Sequence, residues 1–421
     1  MNLPNEFLAR MREQLGDDFP AYLAAMEQPP RASLRVNTLK IDPKTLVSLF
    51  SVPVTPLTGT TDGFAVSDGF RPGQDPLHAA GLYYMQEASA QAPARLLDVQ
   101  PGMAVLDLCA APGGKSTQLA AALNGSGLLL ANEYVASRAS ILAGNLERLG
   151  VTNAIVTNMD THTLCTRLSE QFDAVLCDAP CAGEGMFRKD PRAVAEWSPE
   201  HVAACALRER AILNDAAEAV KPGGRLVYST CSFSPAEDGE TTAQFLVAHP
   251  DFTLLAEQTF YPHTSEGEGQ YMALFARADK RAASSFIPQK SDRCAAWEAF
   301  APECALPAGS ILRLKDGRVL LVPPLPFLLD GLRVVRAGLL LGEDKGNRFE
   351  PVHALAMTGA LRRTEPLSKG EAARYLCGEA IPRATQKGWS TATYGGYPLG
   401  LVKCDGVTLK NHYPKGLRIL R

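Results

Sequence analysis

Long hydrophobic runs are missing from this 421-residue chain. No stretch approaches the roughly 18 apolar residues of a membrane span, so no membrane association is expected. The N-terminus, MNLPNEFLARMREQLG, lacks the apolar stretch of a signal peptide. Without such a signal, the ten cysteines read as reduced thiols of a cytoplasmic protein, not as a disulfide framework. None forms a C-x-x-C pair and the seven histidines are scattered, so no structural zinc, and no metal at all, is expected. Excess charge is also small, at −3 overall. Its distribution is uneven, because residues 360–421 hold eleven Lys or Arg against four acids, which leaves the remainder at −10. A basic tail on an acidic body suits a polyanionic partner.

What is present divides the chain into parts. Residues 1–101 read as an α+β unit, with helices over 6–15 and 43–50, a strand over 33–41, and a final helix over 78–97. From 102 to 278, short apolar runs (104–108, 128–132, 154–158, 172–178, 225–229) alternate with helical stretches (115–123, 135–149, 161–170, 199–220). That alternation predicts an α/β, Rossmann-like, doubly wound parallel sheet. Pro222 and Gly223 read as the breakers closing the last helix. Residues 279–293 are polar and read as a linker. The remainder, 294–421, predicts a β-rich unit with a hairpin turning at Asp316-Gly317.

Two sequence segments carry a cofactor signal. In DLCAAPGGKST, Gly113-Gly114 follow the first strand of the sheet and open a helix, whose N-terminus favours an anionic group. The loop is not a P-loop, because Cys109 stands where the first glycine of that motif is required. The G-x-G-x-x-G dinucleotide fingerprint is absent too. Glu133 ends the second strand, where an acid typically holds ribose hydroxyls. A ribose site without a pyrophosphate site points to S-adenosyl-L-methionine rather than a dinucleotide. Asp107 and Asp160 end or follow other strands on the same edge.

Two thiols define the chemistry. Cys181 (DAPCAGEGMFRK) follows the fourth strand and Cys231 (LVYSTCSFSPAEDGE) the fifth. Carbon 5 of a pyrimidine becomes nucleophilic enough to take a methyl group once a thiolate has added to carbon 6. Asp178 is placed to contact the base near N3 and N4. The other eight cysteines (Cys109, Cys165, Cys177, Cys205, Cys294, Cys304, Cys377 and Cys404) read as small buried hydrophobes. Spacing does not tell which of Cys181 and Cys231 attacks.

These three segments, with RVNTLK, GLYYMQEASA and GEGQYMALF, closely resemble the Nop2/Sun family of RNA cytosine-5 methyltransferases. The resemblance covers the chain from about residue 30 to its end. It implies that Cys231 is the nucleophile and that Cys181 assists elimination and RNA release. It also implies cofactor contacts at Cys109, Ala110, Ala111, Pro112, Gly113, Gly114, Lys115, Glu133, Asp160 and Asp178. Lys189 is expected near the target base or the cofactor carboxylate. YGGYPLGLVKCDGVTLKNHYPKGLR resembles the PUA-like end of the family's bacterial F-type, small-subunit ribosomal RNA branch. The implied partner is therefore 16S ribosomal RNA or the small ribosomal subunit, bound by a monomer whose N-terminal and C-terminal units both contact RNA. Transfer RNA methylation and a non-catalytic RNA-binding assembly factor are the alternatives. Tyr83, Tyr84, Phe187 and Trp197 are candidate base-stacking groups, with core packing the favoured role for each.

Overall fold

The apolar runs of the middle region assemble into one eight-stranded sheet. The computed structural model describes residues 3–50, 52–67, 69–279 and 284–419. Its central sheet contains β1 (Ala104–Asp107), β2 (Leu128–Asn132), β3 (Ala154–Thr157), β4 (Phe172–Asp178) and β5 (Val220–Thr230). After these come β6 (Phe252–Phe260), β7 (Gln270–Arg277) and β8 (Val334–Ala337). The order across the sheet is β6-β7-β5-β4-β1-β2-β3-β8. Strands β1 to β5 are parallel; β7 is antiparallel to both β5 and β6, and β8 is antiparallel to β3. Every residue of β1, β2 and β3 is buried, as expected of a parallel sheet whose two faces are both covered by helices. The covering helices are α1 (Gly114–Leu123), α2 (Ala136–Arg148), α3 (Thr161–Arg167), α4 (Pro199–Ala219) and α5 (Gly239–Ala248). The longest, α4, starts where the Ser198 hydroxyl accepts the His201 N–H and Pro199 takes the first helical position.

Several expectations are corrected. Helix α3 stops at Arg167, three residues early. Pro222 and Gly223 do not form a stop before β5 but lie within it. Val220 already pairs with Phe172, the next paired residues are Ala174 and Arg225, and the intervening residues bulge out. The segment 78–97 is not one helix. It comprises a short helix Pro76–Ala79, a strand Tyr83–Met85, a 3-10 turn Ser89–Gln91 and a helix Ala92–Leu96. Gly81 breaks it, with φ +71° and a backbone so close to α2 that a Cβ would lie 2.0 Å from the Arg148 carbonyl oxygen. The Glu87 carboxylate then caps the following turn by accepting the Ser89 and Ala90 N–H groups. Helices Phe19–Met26 and Pro191–Glu196 were not anticipated, nor were Ala295–Phe300, His353–Met357 and Lys369–Leu376 in the C-terminal region.

The flanking units pack closely on this core. The N-terminal helices Asn5–Leu15 and Phe19–Met26 bury Phe7, Met11, Phe19 and Tyr22 against Phe187, Trp197 and Phe233. A four-stranded sheet follows, in the order Val54–Pro56, Gly63–Val66, Ala32–Val36, Tyr83–Met85. The C-terminal region holds two sheets. The first contains the expected hairpin, Ser310–Arg313 with Arg318–Val322, turning at Gly317 with φ +89°. The second has five strands, and its Leu399 and Val402, with Tyr375 of the helix Lys369–Leu376, share one apolar cluster with Leu34 and Tyr83 of the N-terminal unit. Of the expected linker, residues 280–283 lie outside the described residues. Its remainder is docked, with Ile287 bridged to Leu325 and the Asp292 N–H donating to the Ile311 carbonyl. No helix among the described residues is long and apolar enough to cross a membrane.

One buried side chain ties the N-terminal unit to the first turn of α1. Arg35 is 1% exposed, and its guanidinium donates to Gln86 Oε1 (2.8 Å), the Gly114 carbonyl (3.1 Å) and Thr117 Oγ1 (2.8 Å). Burial lowers its pKa to about 10, which still leaves it charged at neutral pH. Arg35→Ala removes three hydrogen bonds and leaves buried acceptors without a donor, at a cost of about 2–4 kcal/mol. A fall of several degrees in melting temperature is expected by differential scanning calorimetry, and an unchanged value would contradict this role.

Candidate active site

Strands β4 and β5 run side by side with Asp178 opposite Ser229, and both leave the sheet at the same edge. Cys181 and Cys231 lie just beyond that point, with their sulfurs 3.2 Å apart. The Cys231 N–H donates to Cys181 Sγ at 3.3 Å, and the Gly185 N–H donates to the Cys231 carbonyl at 2.8 Å. The loop carrying Cys181 thus folds over Cys231. It can do so only with glycine at 185, where a Cβ would stand 2.7 Å from the Gly269 carbonyl oxygen. Both cysteines are partly exposed. Six of the other eight are buried as expected, while Cys109 and Cys377 are partly exposed and depart from that reading. Hydrogen bonding to Cys231, together with burial, pushes the Cys181 thiol well above the ordinary range.

Asp178 stands next to this pair and is held from three directions. Lys115 Nζ lies 2.7 Å from Oδ2, while Oδ1 accepts from the Ser229 hydroxyl at 2.6 Å and from Gln270 Nε2 at 3.2 Å. Burial works against the charge on Lys115, but Asp178 outweighs it, and negative charge at Cys231 adds to the upward shift of the ammonium. The sequence placed Lys115 only in the cofactor loop, whereas the fold also pairs it with Asp178.

The loop of residues 109–115 is fastened from its neighbours. The Ala110 N–H donates to the Asn132 carbonyl (2.8 Å), Arg138 donates to the Ala111 carbonyl (2.8 Å) and Asn145 to the Pro112 carbonyl (2.9 Å). Gly113, at φ +111°, opens α1, and a Cβ there would press on Leu142 at 3.1 Å. Asp107 is buried. Its Oδ2 accepts from Ser116 (2.6 Å), but Oδ1 has no donor among the described residues. Burial raises this carboxyl to about 7. Glu133, at the end of β2, is 4% exposed and accepts the Val135 N–H (2.8 Å), with Arg138 at 3.6 Å. Asp160 is exposed and caps α3 through the Thr163 N–H (2.8 Å). An unpartnered buried acceptor, a buried carboxylate and a glycine-lined helix start together fit a ligand with a cationic amino group and a ribose. Among the described residues no group of three or more His, Cys, Asp or Glu could hold a metal ion.

Tyr83, Phe187 and Trp197 are buried in packed clusters, and Trp197 donates its indole N–H to Glu184 at 2.8 Å. Tyr84 lies under the Arg148 guanidinium, beside Gly114. Lys189 pairs with Glu268 at 3.7 Å, beside the tighter Arg188–Glu268 pair at 2.6 Å. Ser229, Gln270, Asn132, Glu184 and Glu237 were missed. Gln270 and Ser229 fall inside segments already singled out, but only strand pairing shows that they meet Asp178.

The raised pKa of Asp107 has a definite sign for stability. Between the ordinary carboxyl range and about 7 the folded state holds a proton that the unfolded state releases, so stability falls as pH rises through that window and stays low above it. Asp107→Asn removes this penalty. The melting-temperature gain over the parent protein should be larger at pH 8 than at pH 4, and an equal difference at both would refute the assignment.

Comparison with known proteins agrees along the whole chain. The family model described as 16S rRNA methyltransferase RsmB/F matches residues 94–293, and that for the N-terminal domain of 16S rRNA methyltransferase RsmF matches residues 3–88. The RsmF first C-terminal domain and the RsmF PUA domain match residues 299–358 and 362–419. The ribosomal RNA small subunit methyltransferase F of Enterobacter sp. (strain 638) is 36% identical over 98% of this chain and 95% of its own length. That of Klebsiella pneumoniae (strain 342) is 35% identical over 98% of this chain and 96% of its own. A solved structure of a methyltransferase homologue from Pyrococcus horikoshii is 29% identical, with a TM-score of 0.59, over 65% of this chain and 95% of that one.

Proposed function

Because the chain belongs to the family of 16S rRNA methyltransferases RsmB/F, we propose that it methylates carbon 5 of a cytosine in 16S ribosomal RNA through a covalent adduct of Cys231 at carbon 6. It is an S-adenosyl-L-methionine-dependent RNA methyltransferase. The observation that carries the finer reading is the sulfur pair, 3.2 Å apart, on the edge where Asp178, Lys115 and the 109–115 loop converge.

Bound S-adenosyl-L-methionine would supply an electrophilic methyl group, its S–CH3 bond breaking to leave a neutral thioether. The residues that would hold it are Cys109, Ala110, Ala111, Pro112, Gly113, Gly114 and Lys115 in the loop, with Asp107 at its start, Glu133 for the ribose, and Asp160 and Asp178. The target cytosine must leave its stack to reach this edge. The Cys231 thiolate then forms a C–S bond to carbon 6, and the displaced electron pair makes carbon 5 nucleophilic. Asp178, fixed by Ser229 and Gln270, meets the base near N3 and N4 and favours the protonated ring. After methylation a base removes the carbon 5 proton, the C5–C6 double bond re-forms, and the C–S bond breaks to release the thiolate. Cys181 assists that release, because its thiol stays protonated and already hydrogen-bonds the Cys231 sulfur. Cationic side chains of the C-terminal unit position the RNA through its phosphates.

Cys231→Ala should reduce transfer of labelled methyl groups to 16S ribosomal RNA to background. Cys181→Ala should accumulate a protein–RNA adduct that survives denaturing electrophoresis. An adduct with the Cys231→Ala protein but none with Cys181→Ala reverses the assignment. Bisulfite sequencing of a strain lacking the protein should lose a 16S site, whereas loss of a transfer RNA site alone would move the substrate there.

A further inference from the structure

We infer that Glu237 is the positioning residue that sets the two thiols at their working separation, one carboxylate holding the residue that follows each cysteine. The inference rests on the reading that Cys231 and Cys181 both act on the base. Ala182 follows Cys181, and its N–H donates to Glu237 Oε1 at 2.7 Å. Ser232 follows Cys231, and its hydroxyl donates to Glu237 Oε2. One side chain therefore bridges the two loops directly behind the sulfurs. The regular pairing of β4 with β5 ends at Asp178 and Ser229, and past it, among the described residues, the two main chains hydrogen-bond only through Ala179 N–H to the Ser229 carbonyl and Gly185 N–H to the Cys231 carbonyl. Cys181 sits between those two contacts, and Glu237 holds that span.

Glu237 is itself held firmly. It is fully buried, its N–H donates to the Ser234 carbonyl (3.0 Å), and its own carbonyl accepts the Tyr228 hydroxyl (2.6 Å). Ser232 is fixed in turn, its N–H donating to Thr230 Oγ1 and its hydroxyl oxygen accepting the Ser234 N–H, both at 3.1 Å. A second buried carboxyl, Glu209, stands against Glu237, and its Oε1 has no donor among the described residues. Burial, with the charge of Glu237 next to it, pushes Glu209 up to about 9, so it carries a proton at neutral pH and adds no second buried charge beside Glu237. Two donors, one on each oxygen, thus converge on one buried carboxylate and let it orient both neighbours.

The consequence is a geometric tolerance. A misplacement of about 1 Å at reacting groups can cost around a hundredfold in rate. Glu237→Ala deletes both arms. It should lower kcat by about ten- to a hundredfold, with KM for RNA and cofactor within about twofold. Glu237→Gln keeps an acceptor for Ala182 and a hydrogen-bonding group for Ser232, and should restore most of the rate. A direct readout of sulfur placement is the rate at which diamide closes a Cys181–Cys231 disulfide in the otherwise unchanged protein, followed by peptide mass spectrometry. In that reaction the two thiols are oxidised and the diazene is reduced to its hydrazine. Closure should slow about tenfold in Glu237→Ala and remain near the parent rate in Glu237→Gln. Should Glu237→Ala fail to fold, Ser232→Ala removes one arm only and should slow closure severalfold. Parent-like closure in Glu237→Ala, or in Ser232→Ala where only that variant folds, overturns the inference. Closure does not depend on which thiol attacks RNA, so an active Cys231→Ala protein would sink the catalytic reading while the clamp is still judged by the diamide rates.

Discussion

The parallel register of β4 and β5 is the constraint on which the site depends. It sets Asp178 beside Ser229, so that the serine hydroxyl orients the carboxylate, and it sends both chains off the sheet at one edge with a cysteine on each. The antiparallel pairing of β7 with β5 then brings Gln270 to the same carboxylate. A slip of one residue between β4 and β5 would turn Asp178 to the opposite face and separate the sulfurs. Such register is secure here because both faces of the sheet are buried, and any slip would drive polar side chains into the core.

Around this edge the flanking units act as struts. Arg35 reaches from the N-terminal sheet into the first turn of α1, and Arg10 from the first helix pairs with the fully buried Glu184 at 2.6 Å. Glu184 also accepts the Phe233 N–H (3.0 Å), two residues past Cys231. Packing of the N-terminal helices is thereby transmitted to the loop that carries Cys231. The C-terminal unit shares an apolar cluster with the N-terminal sheet, which anchors the cationic surface to the same body that presents the thiols.

Much was legible in the sequence because it is written locally. Continuous apolar runs named the strands of a doubly wound sheet, and Gly113-Gly114 named the start of a ligand-binding helix. Loop residues flanking Cys181 and Cys231 set them apart from the cysteines in apolar runs. Local signals misled at 78–97, where good helix formers are overridden by the close approach of Gly81 to α2 and by strand pairing of Tyr83–Met85. They misled again at Pro222-Gly223, which a parallel partner absorbs as a bulge.

The available chemical groups follow from the sequence alone: two loop thiols, a glycine-rich helix start, an acid at the end of β2, and a basic tail. Periodicity and turn residues report on neighbours along the chain, and that suffices to assign strands and the edge from which ligands are bound. The fold in three dimensions is what brings Cys181 and Cys231 into contact, spans Lys115 from the cofactor loop to Asp178, and lets Glu237 bridge the residues behind both thiols. Those contacts join residues that are, apart from Ser232 and Glu237, roughly fifty or more positions apart. Their geometry is fixed by strand register and buried hydrogen bonds, which no spacing along a chain encodes.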